Sequence, residues 1–300
     1  MKILFTFPGQ GPQRPGMLQA LPRGGNLLAE ASDILGEDAG RLDNAEALRH
    51  TRAVQLCLLI SGVAHARALI HQGLQPDMVS GLSIGAFPAA VVAGALAFAD
   101  AVRLVALRGE WMEQAYPSGY GLTAIVGLTQ TQLEPLLGEC YLANLNAEQQ
   151  IVIAGSEQAM RETAARALAK GAQKAQQLAV SVPSHCALLD EPARKLAHAF
   201  AAVRLSRPQC SYLSGSTGRV LWQPEAIADD LANNMARTVR WHEAMLAASE
   251  REVGLAIEMP PGAVLSGLTR QAFDHGEAIS LEQSGDALAL TLAERARARR

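Results

Sequence analysis

The chain has 300 residues, 49% of them hydrophobic, enough to bury a sizeable core as one large domain or as a domain carrying a smaller insert. A formal net charge of -3 with only 18% charged residues leaves no broad cationic field, which excludes nucleic acid as an expected partner. Aromatics are scarce at 4%, a usage that suits a helix-rich α/β core better than a β sandwich.

Residues 2 to 7 are rich in β formers and predict a buried strand that delivers the glycine loop GQGPQ. The opening apolar run breaks at Pro8 and Gly9, short of signal-peptide length. Residues 51 to 72 are apolar on a helical period and stop at Gly73, which reads as the C-cap. Met78 to Leu82 reads as a short strand and Gly81 to Gly85 as a sharp turn. Phe87 to Ala97 follows as an alanine-rich helix that tolerates Pro88 in its first turn. From Leu122 to Val182 the pattern becomes compact: TAIVGL, TQLEPLLGE, YLANLN, QIVIAG, SEQAMRETAARALAKGA and KAQQLAVSV predict β, α, β, β, α, β. That is the order of a split βαβ, ferredoxin-like unit. With Pro117 to Gly121 before it and Pro183 after it, an inserted subdomain is expected over 121–183, and residues 1–120 and 184–300 form the large domain. The terminal ERARARR reads as a basic, solvated helical end. No stretch approaches eighteen uninterrupted apolar residues without a charge, so no membrane span is expected. The four cysteines lie far apart with no CxxC pair. They suggest neither a metal site nor disulfides, and read as reduced thiols of a cytoplasmic protein.

Gly-Leu-Ser-Ile-Gly between a strand and a helix points to Ser83 as an exposed nucleophile, because glycines permit the backbone crowding that pushes such a serine out of its turn. Unpaired N–H groups at the start of the next helix suit an oxyanion. A serine needs a base, and His185 in VPSHCALL, just past an apolar strand and Pro183, is the best placed of seven histidines. Arg108 has Leu104, Val105, Trp111 and Met112 as helical neighbours, so its guanidinium lies on an apolar stripe and needs an anion. An internal carboxylate and a substrate carboxylate both fit that requirement.

FPGQGPQ, GLSIGAFPAAV, the arginine helix with LRGEWMEQA, NLNAEQQIVIAG, VPSHCALL, TVRW and MPPGAVLSGL together resemble, in order and over nearly the whole length, the malonyl-CoA:acyl-carrier-protein transacylases. The resemblance implies an α/β-hydrolase-like core with a parallel sheet and an inserted ferredoxin-like subdomain. It implies Ser83 as the acyl-bearing nucleophile, His185 as its base and Arg108 as the clamp on the malonyl carboxylate. The backbone N–H groups of Gln10 and Ile84 would form the oxyanion hole, Gln55 would lie near the site, and the carbonyl of Arg240, in TVRW, would orient the histidine. Malonyl-CoA is then the donor, a phosphopantetheine-type thiol on an acyl carrier protein the acceptor, and no cofactor is permanently bound. The chain departs from the family pattern at Leu82, where histidine is usual, at Ala86, and at Met259 to Ala263, where Val-Gly-Pro-Gly-Lys is common. The Leu-Ser pairing resembles the epsilon subunit of malonate decarboxylase, which implies that complex's carrier subunit as acceptor and its other subunits as partners. Fatty-acid or polyketide synthesis is the alternative. A serine hydrolase and a catalytically idle docking subunit are the competing classes.

Overall fold

A computed structural model describes residues 1–22 and 26–298, so the last two arginines of the basic tail lie outside the described residues. The chain opens with β1 (Lys2–Phe7), α1 (Leu27–Leu35), α2 (Thr51–His71), β2 (Met78–Gly81), α3 (Ala86–Val92) and α4 (Phe98–Ala115). Next come β3 (Tyr120–Val126), α5 (Gln130–Leu133), β4 (Tyr141–Ala147), β5 (Gln150–Ser156), α6 (Glu157–Ala169) and β6 (Lys174–Gln177). It closes with α7 (Asp190–Phe200), β7 (Ser211–Leu213), β8 (Val220–Leu221), α8 (Pro224–Asn233), α9 (Trp241–Glu250), β9 (Val253–Glu258), α10 (Val264–Ala272), β10 (Glu277–Ser280) and α11 (Leu281–Ala298).

The result is a mixed α/β molecule with two sheets. The larger runs β10-β9-β1-β2-β7-β8, parallel except for the β7/β8 pair, and the smaller runs β4-β5-β3-β6, antiparallel throughout. β1 is central to the parallel sheet, with residues 3–7 buried, as a strand covered on both faces must be. Asn144 and Val239 form a parallel bridge between β4 and the segment before α9, which fastens the small sheet to the large unit.

Helix α2 is long and apolar enough to cross a membrane by length and composition alone, yet 72% of its most apolar window is buried inside the protein. It is the core helix, packed along α3 and α4. Contact with α4 is close because Gly109 has no side chain: a Cβ there would lie 2.5 Å from the Arg52 Cα. That approach sets Gln55 of α2 beside Arg108 of α4.

Two expected elements are shorter than their sequence pattern. The helix over 87–97 ends at Val92, because Gly94 takes a left-handed φ of 76° and turns the chain toward α4. The strand drawn from KAQQLAVSV stops at Gln177. Leu178 still donates to the Leu122 carbonyl at 2.9 Å, but residues 178–180 then leave the sheet edge to line a cavity with Ser83 and His185.

Gly109→Ala should force α2 and α4 apart at a cost of about 1–3 kcal/mol, the range for overpacking a core. In urea the midpoint falls while the slope of the transition is unchanged. An unshifted midpoint would show that the helices yield without cost.

Candidate active site

β2 ends in the Gly81-Leu82-Ser83-Ile84-Gly85 turn, where Ser83 sits at φ 59°, a left-handed conformation that costs a non-glycine residue roughly 1–3 kcal/mol. The surroundings hold it there. A Cβ at Gly81 would lie 1.9 Å from the Gly85 carbonyl carbon, and one at Gly85 would lie 2.1 Å from the Phe7 oxygen. Both glycines are therefore required by the close approach of the turn to itself and to β1.

His185 is buried and also has a left-handed backbone, φ 65°, with its N–H donating to the Met235 carbonyl at 2.6 Å. Its Nδ1 lies 2.8 Å from the Asn234 carbonyl and its Nε2 lies 2.9 Å from Ser83 Oγ. A carbonyl can only accept, so Nδ1 carries the proton and Nε2 is left bare to accept from the serine hydroxyl. Burial, and then the nearby Arg108 charge, push His185 down to about 4, while the Asn234 and Arg237 carbonyls act in the opposite direction. The ring is neutral at neutral pH. A hydroxyl held against a bare imidazole nitrogen can lose its proton as it attacks a carbonyl carbon.

Arg108 is fully buried. Its Nη1 donates to Gln55 Oε1 at 2.8 Å, and its Nη2 donates to Asn234 Oδ1 at 2.8 Å and to Ser83 Oγ at 3.3 Å. The guanidinium carbon sits 5.7 Å from the centre of the Phe87 ring, and among the described residues Nε has no hydrogen-bond partner. Among the described residues no ion pair includes it, so the internal carboxylate left open by the sequence is not its partner. Burial against neutral ligands pushes Arg108 down to about 9, which leaves it charged at neutral pH.

The other expected positions divide. Gln55 is fully buried and joins the cluster through Arg108. Gln10, from the loop after β1, lines the same cavity as Ser83 and His185, a space of about 420 Å³, and Ile84 follows Ser83 in the turn. Leu82 also faces this cavity, with Val180, Leu265 and Leu268. Arg240 does not meet the expectation placed on it. Its carbonyl accepts from the Ala244 N–H at 3.0 Å in the first turn of α9, and its guanidinium pairs with Glu243 at 2.8 Å. The carbonyl on His185 belongs to Asn234, six residues earlier, where the chain leaves α8. The sequence marks Asn234 only as a polar residue among Leu231, Ala232 and Met235, just ahead of TVRW, and all three of those neighbours are buried.

Comparison with known proteins agrees with this architecture. The acyl transferase domain family matches residues 4–289. The malonyl CoA-acyl carrier protein transacylase of Escherichia coli K12 is 37% identical, the alignment covering 97% of this chain and 99% of that protein. The solved malonyl CoA-acyl carrier protein transacylase of Coxiella burnetii superposes with a TM-score of 0.92 at 31% identity, covering 98% of each chain. A malonyl-transacylase solved in complex with its type II polyketide synthase acyl-carrier protein gives 0.91 at 34% identity, covering 98% of this chain and 100% of that one. The chain belongs to the acyl transferase domain family, among the malonyl-CoA:acyl-carrier-protein transacylases.

Nuclear magnetic resonance of the ¹⁵N-labelled imidazole should find His185 titrating near 4, and Arg108→Gln should raise that value without reaching 6.5, because burial is the larger cause. The sign for stability follows. The folded pKa lies below the unfolded one, so the contribution of His185 is fully present above pH 6.5 and is lost as pH falls through about 4. Titration of the parent at 6.5 would mean that the ring is not held as described.

Proposed function

We propose that the chain takes a malonyl group from malonyl-CoA, carries it as an ester on Ser83 and passes it to the phosphopantetheine-type thiol of an acyl carrier protein. The observation that carries this reading is Arg108: a buried cation with neutral ligands, 3.3 Å from the serine oxygen, is suited to an acyl group that brings its own carboxylate. The names of the relatives point the same way.

In the first half-reaction Ser83 Oγ attacks the thioester carbonyl and its proton passes to His185 Nε2. The N–H groups of Gln10 and Ile84 receive the oxyanion, the C–S bond breaks, and CoA leaves with the proton from His185. In the second, His185 removes the proton of the carrier thiol, the thiolate attacks the ester carbonyl, and Ser83 leaves with that proton. Asn234, rather than a third acid, holds the imidazole in the required tautomer through its carbonyl. The two half-reactions are thioester and ester exchange, so neither calls for a metal or a redox group. An acetyl group would leave the Arg108 charge unmatched, which disfavours it.

The transacylase relatives favour a carrier of fatty-acid or polyketide synthesis over the malonate decarboxylase carrier subunit, for which the Leu82-Ser83 pairing is the only support. The same reading includes an α/β-hydrolase-like core of residues 1–120 and 184–300 with a ferredoxin-like insert over 121–183. The strand, turn and helix around Ser83 support the first, and the order β4-β5-β3-β6 with α5 and α6 between strands supports the second. A cytoplasmic location completes it.

Radiolabelled malonyl-CoA should leave label on Ser83 and release it to a holo carrier protein, and Ser83→Ala should take up none. Arg108→Ala should lose about a hundredfold or more in malonyl transfer while keeping acetyl transfer, the loss expected when one partner of a buried charge pair is removed. Rapid release of free malonate without carrier would instead mean hydrolysis, and absence of label on the parent would mean an idle subunit.

A further inference from the structure

Asn234 uses its main-chain carbonyl and both side-chain polar atoms on the residues of the site, His185, Arg108 and Ser83. The main-chain carbonyl accepts from His185 Nδ1 at 2.8 Å, Oδ1 accepts from Arg108 Nη2 at 2.8 Å, and Nδ2 donates to the Ser83 carbonyl at 3.1 Å. The residue is buried, and its own N–H closes α8 on the Asp230 carbonyl. Its position is fixed from behind. The buried Asp230 carboxylate accepts from Tyr212 Oη at 2.7 Å and from Ser214 Oγ at 2.6 Å, which pins α8 to β7.

An amide at this point differs in one decisive way from a carboxylate of the same shape. Aspartate would give Arg108 an ion pair and cancel its charge, whereas the amide oxygen accepts a hydrogen bond and leaves the charge standing. Gln55, on the opposite side of the guanidinium, is an amide as well. Two amides and a hydroxyl therefore hold a cation in a site that a carboxylate could have filled from within.

We propose that Asn234 is a positioning residue: its amide ties Arg108 to the Ser83 turn and, with Gln55, keeps the guanidinium charge uncancelled, so that selection of a carboxylate-bearing acyl group depends on it. This rests on the reading of Arg108 as the receptor for the acyl carboxylate. It adds that the selectivity is set by the neutrality of the residues around the arginine as well as by the arginine itself.

The test compares the full chain with Asn234→Asp, Asn234→Ala and Arg108→Ala, measuring kcat and KM for malonyl-CoA and acetyl-CoA with one holo carrier protein. The main-chain carbonyl on His185 is retained in every variant at 234. Asn234→Asp is expected to lower the malonyl-to-acetyl ratio of kcat/KM by about a hundredfold, the scale on which a buried charge responds to its partner. Asn234→Ala leaves the charge uncancelled, so the ratio should stay within about threefold of the parent while kcat falls for both donors as the Ser83 turn loses its tie. A parent-like ratio in Asn234→Asp, or an equal change in both variants, overturns the proposal. Gln55→Glu makes the same change from α2 and decides the matter if Asn234→Asp does not fold: a collapsed ratio supports the proposal and a parent-like ratio overturns it. The two readings fail separately. If Arg108→Ala leaves the ratio unchanged, the carboxylate-receptor reading falls. If Arg108→Ala collapses it and Asn234→Asp does not, only the role of Asn234 falls.

Discussion

The site is organised around one unfavourable fact, a guanidinium taken fully out of water with no carboxylate beside it among the described residues. Desolvating such a group costs several kcal/mol after relaxation, and hydrogen bonds to amide oxygens offset only part of that. The rest of the architecture makes the arrangement tolerable. Gly109 lets α4 approach α2 until Gln55 reaches Arg108, Phe87 at the start of α3 places a ring face beside the cation, and the end of α8 supplies Asn234. Elements distant in sequence converge on one side chain. An isolated α4 with its arginine would do none of this.

A second cost lies in the backbone. Ser83 and His185 both occupy the left-handed region without being glycine, and the two meet through the bond between Oγ and Nε2. Each is fixed by main-chain contacts: Leu82 N–H donates to the Phe7 carbonyl at 3.0 Å, His185 N–H to Met235, and the Asn234 amide to the Ser83 carbonyl. Strain of this kind persists only where surrounding bonds over-determine the conformation. Here those bonds come from the parallel sheet on one side and the α8 terminus on the other. The serine and the histidine are thus presented by different parts of the chain yet held to the same reference points.

Much of this could be read in the sequence, for identifiable reasons. The Ser83 turn was legible because its glycines answer a steric demand confined to five residues, and α2 because its apolar residues run on a helical period up to Gly73, whose φ of 89° turns the chain. Arg108 was legible as a cation on an apolar stripe; of its ligands, the family resemblance placed Gln55 near the site and nothing local pointed to Asn234. Gln55 and Asn234 reach it from 53 and 126 residues away, and no local period encodes such a meeting. The exchange of Arg240 for Asn234 has the same origin: TVRW begins four residues after the carbonyl that meets the imidazole, and which carbonyl does so depends on where α8 ends, a matter of tertiary register. The over-long strand at 174–182 shows the converse. Its composition favours β structure, while the chain must leave the sheet after Leu178 to bring His185 to the serine.

The arginine and the histidine constrain one another. The charge on Arg108 lowers His185 below what burial alone would give, so the imidazole is a weaker base than an unperturbed one. In compensation, the ring is neutral at neutral pH and its Nε2 is free to accept a proton. An anion placed against the guanidinium would oppose that field at the imidazole, and the sign of the effect is to strengthen the base. The same uncancelled charge that prefers a carboxylate therefore makes the base respond to one. A site with an internal carboxylate on Arg108 would hold the stronger base at all times and lose the discrimination. A site without the arginine would keep neither the preference nor the coupling.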